Sequence, residues 1–301
     1  MDNKTANSST GTKRSWEGIP LRNETPLSQS QAHLAAMSES TPSNSIHSMF
    51  EGFRDELDQH HDRRERLIKI SRDITALSKK IIFSLQRVRK SNAPIPPSIL
   101  KDITPRFTSI NELFQTAVPE VHGLNNYRYL RQLSGGIQEF IEALSFKHYL
   151  ETQELISKAQ VTEHLPREIV VTDDDYIMGL FDLTGEIMRF AVTSLSAGSH
   201  TDAESGADDA TGESLALPKL LPSQAGIVRD LREIRAELEG VSIPRRHEYN
   251  MFRDFGKKSE IMANSVEKVE RAAYGILVRG SERPKGWKPD LTGGQVEMDV
   301  Y

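Results

Sequence analysis

The sequence predicts an all-α protein, an antiparallel helical bundle behind a disordered N-terminal tail. Three observations carry that reading. Apolar residues recur at spacings of three and four through six stretches. No stretch alternates with period two for long enough to demand a strand. Prolines, glycines and polar runs stand between the stretches, and no internal repeat links them.

Residues 1–44 are rich in Ser, Thr, Asn and Gln and have almost no apolar periodicity, so they are expected to be disordered. Lys13 and Arg14 alone do not make a nuclear signal. From Ser45 the pattern changes: Leu67, Ile70, Ile74, Leu77, Ile81, Leu85 and Val88 mark one face of a long helix expected to end near Asn92, before Pro94, Pro96 and Pro97. A second helix is expected from Ser98, with Ile99, Ile103, Phe107, Ile110 and Phe114 inward and Pro105 disturbing its first turn. His122 and Gly123 close it. Asn125 or Asn126 should cap a third helix running to about Ser157.

Residues 161–172 read as a connection, despite the β-prone run Ile169 to Val171. Asp173, Asp174 and Asp175 suit the N-terminus of a fourth helix, where the macrodipole favours negative charge; it should reach about Leu195. A mobile acidic loop is expected over 196–216. Two more helices follow, one with Ile227, Leu231, Ile234 and Leu238 that stops at Gly240, the other from about Arg245 to Val278. The helical domain thus spans 45–285, and 286–301 form a C-terminal tail.

Composition narrows the function. No apolar run is long enough to span a bilayer and the first residues have no signal-peptide core, so an intracellular protein is expected. The chain has no cysteine, which excludes disulfides, thiolate metal sites and cysteine nucleophiles. Any metal must be held by oxygen or imidazole. The net charge of -5 is unlike that of a protein that grips nucleic acid unaided; an RNA substrate would require local basic clusters or a more basic partner.

Four carboxylates sit badly on their helices. Glu139 and Glu142 project opposite Ile137, Ile141 and Leu144, yet on the same side as Gly135 and Phe146. The fourth helix is apolar over most of its circumference, apart from one stripe containing Asp175, Gly179, Asp182, Glu186, Arg189 and Thr193. Each acidic pair, at i,i+3 and i,i+4, places its Cβ atoms about 5–6 Å apart. Face to face they would form an oxygen cage suited to a hard cation such as Mg²⁺ or Mn²⁺. Spacing alone equally allows a buried ion-pair network with Arg189, Arg128 or Arg131, or a solvated Glu139 and Glu142.

Tyr127, Arg128, Tyr129 and Arg131 precede the first pair and mix cations with aromatics, a combination that can hold phosphates and stack on unpaired bases. An ordinary amphipathic surface is the competing reading, and Arg128 and Arg131 are the stronger RNA-binding candidates. His148 projects with Ile137 and Ile141 and reads as a buried structural histidine.

Four long segments resemble the translin family, specifically its translin-associated factor X branch: FRDELDQHHDRRERLIKISRDITALSKKIIFSLQRV (Phe53 to Val88), GIQEFIEALSFKHYL (Gly136 to Leu150), YIMGLFDLTGEIMR (Tyr176 to Arg189) and KVERAAYGILVRGSERPK (Lys268 to Lys285). The resemblance implies about seven helices, assembly with translin into a closed hetero-oligomer, and Mg²⁺- or Mn²⁺-dependent endoribonuclease activity in cytoplasm and nucleus. It places the metal on Glu139, Glu142, Asp182 and Glu186, with Glu139, Glu142 and Asp182 catalytic, and a small double-stranded or single-stranded RNA as substrate. Two other classes remain as alternatives. An all-helical nucleoside-triphosphate pyrophosphohydrolase would act on free nucleotides, and a non-catalytic RNA-binding scaffold would show no metal response.

Overall fold

The structure, a computed structural model, describes residues 45–197, 220–243 and 254–279, and in them seven α-helices and no strand. The expected N-terminal tail, the C-terminal tail and nearly all of the 196–216 loop lie outside the described residues. Helix α1 covers Ser45–Leu85, α2 Pro97–Ala117, α3 Asn125–Thr152, α4 Lys158–Glu163, α5 Asp173–Ala197, α6 Pro222–Glu239 and α7 Phe255–Arg279. No helix is long and apolar enough to cross a membrane among the described residues.

Two units divide the chain at Gln59 and His60. In the first, α1 carries Ile46, Phe50, Phe53 and Leu57 as an exposed apolar stripe. The second unit holds the core. Leu67, Ile74, Ile81 and Leu85 of α1, Ile103, Ile110 and Phe114 of α2, and Ile137, Ile141 and Phe146 of α3 are all fully or almost fully buried. All but Phe146 are residues that the three- and four-residue spacing puts on one face of their helix; Phe146 lies on the other side of α3, which is buried as well.

Boundaries differ from expectation in three places. Helix α1 ends at Leu85, not near Asn92: the amides of Arg87 and Val88 bond back only three residues, to Ser84 and Leu85, and Asn92 turns the chain with a φ of 53°. That tightened turn still buries Val88. Helix α2 begins with Pro97 in its first turn and continues through Pro105. Helix α3 ends at Thr152, where Gln153 is left-handed at φ 57° and gives its amide to the Tyr149 carbonyl. Ser157 instead caps the short α4 in a box with Gln160. Neither Asn125 nor Asn126 caps α3; the Asn126 side chain donates to the Glu168 carbonyl.

That last bond has a topological meaning. The chain returns alongside α3, through α4, before α5 begins, so α5 runs parallel to α3. Ser134 of α3 meets Asp175 of α5, and twelve residues later Phe146 meets Phe190. Helix α1 runs the same way, with His60 at Tyr129 and Lys79 at Glu139. Helix α2 runs against α1: Arg66 meets Glu120 at one end and Ser84 meets Asp102 at the other.

Two glycines let these parallel helices approach. A Cβ at Gly136 would lie 3.0 Å from both the Ser71 carbonyl oxygen and its Oγ. At Gly179 a Cβ would lie 2.7 Å from Ile141 Cγ2 and 3.1 Å from the Gln138 carbonyl. Nearby, Asp175, only 1% exposed, locks the pair: it accepts from Ser134, from Gln138 Nε2 at 3.0 Å and from Thr172 at 2.8 Å.

Because Ile141 is β-branched and cannot yield without moving α3, Gly179→Ala should destabilise the fold by about 1–2 kcal/mol net of its gain in helix propensity. Urea unfolding would measure it; an equal or higher midpoint than wild type would contradict the close approach.

Candidate metal centre

Helix α3 is buried almost all round between Ile137 and Leu150, and Glu142 lies inside that stretch at 8% exposure. Glu139 sits one turn earlier, partly open. On α5, Leu183, Ile187 and Phe190 hold the helix in the core, while Asp182 and Glu186 face α3. Parallel running brings the two pairs level. All four carboxylates line one pocket of about 650 Å³, with Lys79 from α1, Gln86 from the turn that follows it, Arg189 from α5 and Lys258 from α7.

Three of the acids have a cation. Lys79 Nζ lies 3.3 Å from Glu139 Oε1, Lys258 Nζ lies 2.6 Å from Asp182 Oδ2, and Arg189 pairs with Glu186. Gln86 Nε2 also donates to Glu186, at 2.8 Å to Oε2 and 2.9 Å to its carbonyl. Glu142 has no such partner among the described residues, and Glu139 Oε2 is buried without a hydrogen bond. Burial, reinforced by Asp182, Glu139 and Glu186, pushes the Glu142 carboxyl up to about 9. Burial raises Glu139 as well, against the pull of Lys79.

A small hard cation fits this chemistry in donor type and in charge: four oxygen acids, one of them buried with no ion-pair partner among the described residues. It does not fit as a ready-made cage, since no three His, Asp or Glu converge on one point among the described residues. Instead the side-chain cations are spread over the acids, so a divalent ion would have to take carboxylates from them.

All four expected acids are brought together. Of the arginines weighed as structural counter-charges, Arg189 takes that part; Arg128 and Arg131 do not. Arg128 is exposed and bonds to His60, whose ring also meets the buried Tyr129 hydroxyl. Arg131 lines a separate groove of about 540 Å³ with Arg72 and Lys79, so Lys79 borders both groove and acid pocket. Tyr127 is 80% exposed, and His148 is only partly buried, against expectation. Lys147 and His148 are the partly buried positions in the otherwise buried stretch from Phe140 to Leu150.

Sequence reasoning missed Lys79, Gln86 and Lys258. Gln86 offered a faint signal, lying three and four residues after Phe83 and Ile82 beyond the last core leucine. The lysines offered none.

A profile of the translin family matches residues 62–280. Translin-associated protein X of Rattus norvegicus is 28% identical over 273 residues, covering 83% of this chain and 84% of the rat protein. The homologue of that protein in Schizosaccharomyces pombe is 29% identical over 236 residues, covering 78% and 89%. Translin of Mus musculus is 25% identical over 170 residues, covering 52% of this chain and 72% of the mouse protein. In fold, the chain resembles the crystal structure of apo-NeC3PO, with a TM-score of 0.52, 18% identity, and coverage of 77% of this chain and 96% of that one.

The buried acid makes a prediction about pH. Glu142 holds its proton more tightly folded than unfolded, so its favourable contribution is complete below about 4.5 and is lost as pH rises through about 9. Glu142→Gln should therefore raise the metal-free unfolding midpoint at pH 8 by about 2–4 °C, on the order of 1 kcal/mol, with little effect at pH 5. A variant less stable than wild type at pH 8 would refute it.

Proposed function

This chain belongs to the translin family, on its translin-associated protein X side, and on that premise we propose that it is the catalytic subunit of a translin-containing assembly that hydrolyses RNA. The observation that carries the proposal is Glu142, a buried acid with no ion-pair partner among the described residues, walled by Glu139, Asp182 and Glu186 in an open pocket. Such an arrangement is destabilising in itself, and a function is the reason to retain it.

In this reading Glu139, Glu142 and Asp182 hold Mg²⁺ or Mn²⁺, and Glu186, already bound by Gln86 and Arg189, supports them. The ion would supply Lewis-acid polarisation of the phosphodiester and a lowered pKa for the attacking water. Water attack leaves a 5′-phosphate and a 3′-hydroxyl. The chain's own residues orient the strand. Arg189, 56% exposed at the rim, and Lys79 are placed to meet phosphate oxygens. Phe83, 75% exposed on the same rim, offers a face for a base. Arg131 and Arg72 lie along the groove that Lys79 shares and would guide RNA toward the acids.

The net charge of -5 supports a division of labour, with a translin partner supplying further phosphate contacts in a closed hetero-oligomer. Small double-stranded or structured single-stranded RNA, in cytoplasm or nucleus, suits such an enclosed site. One observation favours a second reading: three of the four acids already have side-chain cations. On that view the cluster is structural and the subunit a non-catalytic scaffold.

Cleavage distinguishes the two. In the complete assembly with translin, Glu142→Ala and Asp182→Ala should each abolish Mg²⁺-dependent cleavage of a short RNA while assembly persists. Cleavage retained by both variants, or absent from the wild-type assembly with Mg²⁺, would favour the scaffold. Arg131→Ala should weaken RNA binding and reduce the slope of log affinity against log salt by about 1; an unchanged slope would remove Arg131 from the path.

A further inference from the structure

Of the three cations in the acid pocket, Lys258 alone is held below the surface. Its side chain is 20% exposed, against 65% for Lys79 and 56% for Arg189. The ammonium donates to Asp182 Oδ2 at 2.6 Å and to the Met178 carbonyl at 3.2 Å. It thus spans one turn of α5, from the carboxylate back to a main-chain oxygen. One turn further back stands Asp174, whose Oδ1 is buried without a hydrogen-bond partner. Asp174, Met178 and Asp182 follow one another at intervals of four residues, a single acceptor line along α5.

We propose that Lys258 is a two-position counter-ion, which blocks divalent-metal loading while on Asp182 and is received by Asp174 when the metal displaces it. The inference rests on the metal reading given above. The ammonium holds Asp182 Oδ2 at 2.6 Å, so a doubly charged ion on the same carboxylate would stand within a few ångströms of it, and the repulsion between the two cations raises the cost of loading. The acids are fixed by packed helices, whereas the ammonium rides on a flexible four-carbon stem. It is the part that moves. The Met178 carbonyl keeps a hydrogen bond available midway, and Asp174 supplies the charge that ends the movement. Burial, with Asp175 beside it, pushes the Asp174 carboxyl up to about 6, and the Lys258 charge already opposes that rise. The acid therefore lies within the lysine's field.

The lysine sets how much free metal the site requires before it loads. Mn²⁺ binding to the full-length chain, followed by the loss of free-ion electron paramagnetic resonance, tests this. Lys258→Met keeps the stem and removes the charge; it should tighten Mn²⁺ binding by roughly tenfold. Lys258→Arg keeps the charge and offers a two-pronged grip on Asp182, so it should weaken binding several-fold and serves if the methionine variant folds poorly. Asp174→Asn should weaken binding about threefold in the wild-type background and not at all in Lys258→Met, because its effect passes through the lysine.

An equal effect of Asp174→Asn in both backgrounds would overturn the two-position switch. Equal Mn²⁺ affinities of the wild type and both Lys258 variants, with binding abolished by Glu142→Gln, would overturn the lysine's part and leave the metal site standing. No Mn²⁺ binding by any of these proteins would remove the metal site and this inference with it.

Discussion

A carboxyl group in the middle of a helical bundle is tolerated only if it keeps its proton or a cation answers its charge, and Glu142 sets that requirement for everything around it. It is 8% exposed, flanked by three other acids, and pushed up to about 9 by burial. Transferring an ionised carboxylate into such surroundings costs several kcal/mol unless cations or donors compensate. The neighbourhood is organised accordingly. Lys79 comes from α1, Arg189 from α5 and Lys258 from α7, each taking one of the surrounding acids, while Gln86 ties Glu186 from the end of α1. The glycines that let α1, α3 and α5 close up also keep these charges within reach of one another. Core packing and charge balance are therefore one construction: separating α3 from α5 would uncouple both.

The parallel direction of α1, α3 and α5 follows from the returning segment between α3 and α5. Had α5 folded directly back on α3, the i,i+3 pair of one and the i,i+4 pair of the other would lie at unrelated heights. The return through α4, fixed by the Ser157–Gln160 box and by Asn126 on the Glu168 carbonyl, brings Asp175 to Ser134 and so levels the acids. A short helix with no functional group of its own thus determines where the functional groups meet.

Much of this was legible in the sequence. The faces of α1, α2, α3, α5 and α6 follow from the spacing of isoleucine, leucine and phenylalanine, and the polar stripe of α5 singled out Asp182 and Glu186 because nearly every other direction on that helix is apolar. What could not be read depends on tertiary partners. Lys79 and Lys258 lie among other lysines on amphipathic helices, and nothing local distinguishes a lysine that reaches an acid from one that reaches water. The end of α1 and the start of α4 were missed for a related reason: a tightened last turn and a six-residue helix have too few residues to show a period. The prolines after α1 announced a stop without specifying where the preceding turn would tighten. Arg128 was expected to meet RNA or an acid and is instead engaged with His60, 68 residues away, a contact that no spacing within one helix can anticipate.

Lys258 is 76 residues downstream of the carboxylate it neutralises. At synthesis rates of roughly 5–20 residues per second, Asp182 leaves the ribosomal peptidyl-transfer centre on the order of 4–15 s before its counter-ion exists. During that interval α1, α3 and α5 can already dock, gathering four acids with two of their three cations. A nascent chain at this stage carries surplus negative charge in its own interior, a reason for the bundle to stay loosely closed until α7 arrives. Helix α7 therefore completes the electrostatic balance on which tight closure of α1, α3 and α5 depends.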